Sequence, residues 1–187
     1  MSPILGIIAS SFRSAAGPDG AYDALSTVSL SASASSITFA GIPNTYKHLQ
    51  IRGIMKSTTA GTSVNDVFFQ FNGDTGSNYS THFITGTGAS AGSGAATSQV
   101  RFRASNCAPY TGTASVFGAV VMDILDYANT SKYKTARSLS GSDWNGTGYM
   151  NMDSGLWMNT ASITSITIFP GANSFETYTS LSLYGIR

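Results

Sequence analysis

Charged side chains are scarce in this chain: they make up 10% of its 187 residues, and Glu176 is the only glutamate. A typical soluble domain carries about 25%. Long amphipathic helices build their exposed faces from Glu, Lys, Gln and Arg, so this composition excludes them as the main framework. Ten basic residues against nine acidic ones leave a net charge of +1. No basic run exists, so the concentrated positive face that a nucleic-acid binder needs is missing. The closest basic pairs, Arg101/Arg103 and Lys132/Lys134, fall at i, i+2 and read as solvated faces of strands.

Cysteine is nearly absent too. Cys107 stands alone, which rules out an intrachain disulfide and a paired-cysteine zinc site, and reads as a small buried thiol. Only two histidines, His48 and His82, offer the side-chain type that serves most readily as a base, and both sit in alternating, strand-like segments. There is no Gly-x-Ser-x-Gly elbow, no His-Glu-x-x-His pair and no Gly-rich loop ending in Gly-Lys-Ser/Thr. Asp123 and Asp126, three apart, point to opposite faces of a strand, and Asp143 and Asp153 read as loop-borne. The expectation is a chain without catalytic residues, cofactor or metal. Asp143 to Gly148 has the look of a calcium-loop fragment but lacks the further acidic ligands and the bidentate Glu. No apolar run approaches the ~20 residues that span a bilayer. The opening Met1 to Phe12 is apolar, but Pro3 interrupts it and no basic stretch precedes it, so neither a signal peptide nor a membrane anchor is expected.

Gly, Ser and Thr fill the places that charge has vacated, and from Tyr22 onward short strands alternate with turn chemistry. Tyr46 to Met55 has a period of two, with Leu49 and Ile51 on one face and His48, Gln50 and Arg52 on the other. Further strands are expected over Ala24–Leu30, Ser36–Phe39, Val67–Phe71, Tyr79–Thr85, Val100–Arg103, Lys132–Leu139, Leu156–Met158, Ile163–Phe169 and Thr177–Ile186. Asn72-Gly73-Asp74 offers a hairpin-type turn. Ala114–Leu125 is the longest apolar run; its valines and Gly118 favour a central strand over a buried helix. Gly86–Ser98 reads as a long exposed loop, and Gly141–Gly148 as a second one carrying Trp144. The aromatic residues Phe68, Phe69, Phe71, Tyr79 and Phe83 read as core, as do Leu156, Trp157 and Met158.

About ten strands at this length point to an all-β, antiparallel β-sandwich of jelly-roll-like type, a closed barrel being the alternative. Two parts are expected: an apolar N-terminal arm and hinge over residues 1–20, with Arg13 to Gly20 as the hinge, and a sandwich over 21–187. Asp143, Trp144, Asn145 and Tyr149 form a candidate glycan platform, an aromatic face beside hydrogen-bonding groups. The preferred reading is that Trp144 packs under its own loop or against a neighbouring subunit.

Several segments together resemble a family of small virion proteins of tailed bacteriophages. They are the opening Ile4-Leu-Gly-Ile-Ile-Ala-Ser-Ser-Phe12, Ser36-Ile-Thr-Phe39, Tyr46-Lys-His-Leu-Gln-Ile-Arg52 and Leu125-Asp-Tyr-Ala-Asn-Thr-Ser-Lys-Tyr-Lys-Thr135. Gly155-Leu-Trp-Met158, Ile163-Thr-Ser-Ile-Thr-Ile168 and the ending Ser182-Leu-Tyr-Gly-Ile-Arg187 complete the resemblance, which spans nearly the whole chain. It implies a structural component on the particle surface, made in the host cytoplasm: a tail-fibre, tail-tip or adaptor protein, or alternatively a capsid decoration protein or a host-glycan binding module. It implies no catalytic residues. Other virion proteins are the expected partners, with a homo-oligomer, often a trimer, and no nucleic acid or membrane insertion. Ile4, Leu5, Ile7, Ile8 and Phe12 are the expected anchor onto the particle.

Overall fold

The computed structural model describes residues 20–60, 64–109 and 115–187. The expected anchor residues Ile4, Leu5, Ile7, Ile8 and Phe12, and the hinge up to Asp19, lie outside the described residues. Twelve strands follow one another: β1 (Tyr22–Ser29), β2 (Ile37–Ala40), β3 (His48–Met55), β4 (Asn65–Phe71), β5 (Tyr79–Gly86) and β6 (Ala91–Gln99), then β7 (Phe102–Cys107), β8 (Gly118–Leu125), β9 (Lys134–Asp143), β10 (Gly148–Trp157), β11 (Ser165–Pro170) and β12 (Ser180–Ile186). They form an eight-stranded sheet in the order β1-β12-β3-β8-β9-β10-β5-β6 and a four-stranded sheet in the order β2-β11-β4-β7. All strand pairs are antiparallel, and no helix occurs among the described residues. The fold is therefore an antiparallel β-sandwich with layers of unequal width. A simple jelly roll has eight strands.

Alternation along each strand decides what goes inside. In β4, Asn65, Val67, Phe69 and Phe71 are buried while the residues between them are partly open. In β12, Leu181, Leu183 and Gly185 point inward between half-open neighbours. The core between the layers centres on an aromatic cluster. Phe71 meets Trp157 edge-on at 5.6 Å, Tyr79 stacks on Trp157 at 6.3 Å, and Phe102 stacks on Phe69 at 5.9 Å. Trp157 is satisfied by donating its Nε1–H to Asp74 Oδ2 at 2.7 Å. Tyr79 donates to the Phe71 carbonyl and accepts its amide. Of the expected core aromatics, Phe68 and Phe83 are only half-buried, and Met158 is exposed. The single thiol is buried as expected, and burial pushes Cys107 up to about 12.

Three sequence expectations need correction. Gly86–Ser98 is not a long loop: a turn at Thr87–Ser90 leads into β6, which pairs with β5 from Gly86↔Ala91 to Tyr79↔Gln99. β6 is an edge strand of small residues, held by backbone hydrogen bonds, and such a strand carries no hydrophobic alternation to read. The loop at Gly141–Gly148 shrinks to residues 144–147, because β9 runs to Asp143 and β10 starts at Gly148. Asp153 consequently lies in mid-strand, 1% exposed, rather than on a loop. Asn72 and Gly73 do adopt the positive φ values of a tight turn, +53° and +65°, closed by Asp74 N–H to the Phe71 carbonyl at 2.9 Å. They join strands of different sheets, however, and make no hairpin.

Gly155 shows how closely the layers meet: a Cβ built there would lie 2.1 Å from the Phe102 ring. Phe102 is fully buried and has no room to retreat. Gly155→Ala is expected to lower stability by about 1–3 kcal/mol, read as a shifted urea midpoint; an unchanged midpoint would contradict this packing.

Candidate functional site

The β9–β10 turn separates the four residues expected to contact a glycan. Asp143 Oδ1 accepts the Asn145 amide at 2.7 Å, and the Trp144 amide donates to the Thr147 carbonyl at 2.7 Å. Asn145 at φ +61° and Gly146 at +109° close the turn. Asp143 and Asn145 stay exposed at its tip. Trp144 is half-buried and packs edge-on against Tyr149, with ring centroids 5.8 Å apart. Tyr149 itself is buried, 5% exposed, so it cannot serve as a surface contact. Burial pushes its phenol far up from the ordinary tyrosine value, Cys107 adds to the rise, and the Ser142 hydroxyl opposes it. The open four-residue platform is thus not formed, and Trp144 packs under its own loop. Among the described residues, no group of three or more His, Cys, Asp or Glu is placed to hold a metal ion, and no helix is long and apolar enough to cross a membrane.

Sequence reasoning missed a buried ionic network. All six positions of β7 are buried, because this edge strand of the narrower sheet lies under β5, β9 and β10 of the wider one. Arg103 was expected on a solvated strand face, yet it is 8% exposed. Its Nε donates to Asp66 Oδ1 at 2.8 Å and its Nη1 to Asp153 Oδ1 at 2.6 Å. Nη2 donates to Asn151 Oδ1 at 3.0 Å and to Asn106 Oδ1. The guanidinium also lies 3.9 Å over the Phe83 ring. Lys134 departs from expectation in the same way. It is fully buried, and its Nζ donates to the carbonyls of Asn129, Lys132 and Thr160 at 2.6, 2.8 and 3.0 Å. Burial lowers its pKa. Both cations are locked into the scaffold, with nothing in the i, i+2 spacing to announce it.

The second distinctive feature is the outer face of the wide sheet, the side turned away from the narrow one. Register places Val121 opposite Leu139, Leu139 opposite Met152, and Met152 opposite Ile84. These four form an unbroken aliphatic row across β8, β9, β10 and β5, and they are 42, 49, 56 and 57% exposed. Met150, Ile54 and Leu125 extend the apolar area. A parallel row on the same face is polar: Gln50, Asp123, Arg137, Ser154 and His82 stand side by side by register. Gln50 donates to Asp123 at 2.6 Å, and Arg137 meets Asp123 at 3.3 Å. A shallow groove of about 1050 Å³ runs along both rows. An exposed aliphatic stretch of this kind is the mark of an interaction surface. No family model, curated protein or solved structure matches the chain.

Asp153 supplies the pH-dependent element. Burial pushes its carboxyl up to about 6, although the Arg103 guanidinium pulls it down, and Oδ2 has no hydrogen-bond partner among the described residues. The folded chain therefore keeps a proton between about pH 4 and 6 that the unfolded chain has lost, so stability falls as pH rises through that window. Asp153→Asn removes this dependence. The stability of the variant minus that of the wild type is expected to rise by about 1–3 kcal/mol between pH 4 and pH 7, measured by urea denaturation; a constant difference would contradict the assignment.

Proposed function

We propose that this chain is a structural, non-enzymatic component of a tailed-bacteriophage particle, a tail-fibre, tail-tip or adaptor protein that assembles with copies of itself. The row Val121–Leu139–Met152–Ile84 carries the reading. The resemblance of the segments around Tyr46–Arg52 and Leu125–Thr135 to phage virion proteins supports it, and so does the all-β fold. Display on a capsid as a decoration protein is the alternative position on the particle. The candidate acids and bases fit assembly better than turnover. Asp153 is fully enclosed, Arg103 is engaged on all sides, and His48 Nδ1 accepts the Asp126 amide at 2.9 Å.

A second copy of this chain is the occupant of the outer face. A net charge of +1 leaves copies with almost no mutual repulsion. The polar row carries both signs, Asp123 and Arg137, with Gln50 and His82 as hydrogen-bonding ends, so it is complementary to itself across a two-fold axis. β8 adds a sequence argument: its outward positions Ala119, Val121 and Leu125 are apolar beside the single Asp123, more apolar than an open strand face needs to be. The apolar arm, with Ile4, Leu5, Ile7, Ile8 and Phe12, then serves to attach the oligomer to the particle.

Light scattering coupled to size exclusion tests this on the full chain. The wild type is expected to be an oligomer at micromolar concentration, and a Leu139→Lys/Met152→Lys variant a folded monomer. Deleting the residues before Gly17 should leave the oligomer intact. A monomeric wild type, or an oligomer indifferent to the two lysines, would overturn the reading; dissociation by the deletion would give the face to the arm instead of a second copy.

A further inference from the structure

The rows of the outer face also fix how two copies meet, on the reading that a second copy occupies that face. Register adds a third row beside the aliphatic one: Ile54, Ala119, Gly141, Met150, Gly86 and Ala91, with no charged or hydrogen-bonding side chain. The aliphatic row itself runs on into Arg52 on β3 at one end and Ser93 on β6 at the other. The Asp123 carboxylate and the Arg137 guanidinium both stand in the polar row, on neighbouring strands.

Two sheets related by a two-fold axis and packed face to face hold that axis in the plane between them. Aligned packing keeps the strands of the two sheets within about 30° of each other, so the axis runs either along the strands or across them. An axis across the strands reverses the order of the rows. It lays Asp123 and Arg137 on the partner's aliphatic row, on its uncharged third row, or each on its own equivalent. Every one of these covers a charge without a partner or sets it against its like. An axis along the strands keeps each row on itself, polar on polar and apolar on apolar.

The aliphatic row decides where that axis stands. Val121, Leu139, Met152 and Ile84 are centred between β9 and β10. An axis there seats Val121 on the partner's Ile84 and Leu139 on the partner's Met152, so all four positions are covered. In the polar row it brings the exposed His82 of each copy to Asp123 of the other. Asp123 already accepts Gln50 at 2.6 Å and Arg137 at 3.3 Å, and a carboxylate has lone pairs for one donor more, the imidazole N–H. An axis one strand spacing away, between β8 and β9, would join Asp123 to the partner's Arg137. It would also set Met152 against Arg52 and Ile84 against Ser182, and an exposed ion pair contributes too little to offset the lost apolar contact. An axis on β9 would stack Arg137 on its equivalent. We infer that two copies meet through a two-fold axis running along the strands between β9 and β10, with His82 and Asp123 as the pair that sets the register.

Within one copy β9 and β10 separate β8 from β5, about 14 Å at three strand spacings, so His82 and Asp123 answer each other only between copies. His82→Asp sets carboxylate on carboxylate twice per dimer, and Asp123→Arg sets guanidinium against imidazole. Each should weaken self-association of the full chain about tenfold, read by light scattering over a concentration series. A one-to-one mixture of the two variants should regain the wild-type mass, because the introduced carboxylate meets the introduced guanidinium and the other contact is native. The buried Trp157 reports by near-ultraviolet dichroism that each variant stays folded. Isotope-filtered methyl NMR on mixed labelled and unlabelled wild-type chains reads the same register without substitution, and Val121–Ile84 contacts between copies are expected. Val121–Leu139 contacts between copies in their place, a mixture that stays dissociated, a trimeric mass, or variants that associate like the wild type would overturn this register and leave the outer face to a second copy. A monomeric wild type would overturn both.

Discussion

Successive side chains of a β-strand point to opposite faces, so a sheet with one partner layer leaves half of its residues without cover. That constraint shapes this molecule, because its two layers are unequal: eight strands face four. On the inner side the wide sheet overhangs the narrow one. The chain fills that junction with Arg103, which reaches from β7 to Asp66 on β4 and to Asn151 and Asp153 on β10. Burying such a network is not a cheap source of stability, since desolvation offsets much of the ionic gain. It does fix how the layers meet, because each of its partners sits at one register position and a shifted layer would strand a buried charge.

On the outer side none of the described residues covers the aliphatic row. Lys and Glu would ordinarily occupy such positions and keep copies apart; here Val121, Leu139, Met152 and Ile84 do, in a chain almost without net charge. The scarcity of charge and the bare row are one property seen at two levels.

Much of this was legible in the sequence. Alternation located β3, β4, β11 and β12 to within a few residues, and the run Ala114–Leu125 announced the central β8. That same run already held the outer face, since Val121 and Leu125 are apolar at positions that alternate with the buried Val120, Met122 and Ile124. β6 was illegible because Ala, Gly and Ser carry no amphipathic signal, and its place comes from the backbone ladder to β5. Arg103 and Lys134 were misread because pattern treats a cation as solvated, whereas here carboxylates, amides and carbonyls from distant segments enclose them. The Trp144 turn was noticed for its aromatic ring. Asp66 and Asn151, which meet at Arg103, come together only through the packing of two sheets, which no local pattern encodes.

The most direct test of the covered outer face follows the methionine methyls by NMR in the assembled full chain, with a soluble paramagnetic probe in the solvent. Met55 and Met122, fully buried, give the shielded reference, and Met158, 36% exposed, gives the open one. In the isolated chain Met150 and Met152 are 61 and 56% exposed. The account predicts that both relax like Met55 and Met122 once copies associate, and like Met158 in the Leu139→Lys/Met152→Lys background for the methionine that remains. Met150 and Met152 relaxing at least as fast as Met158 in the wild-type chain at assembling concentrations would contradict it.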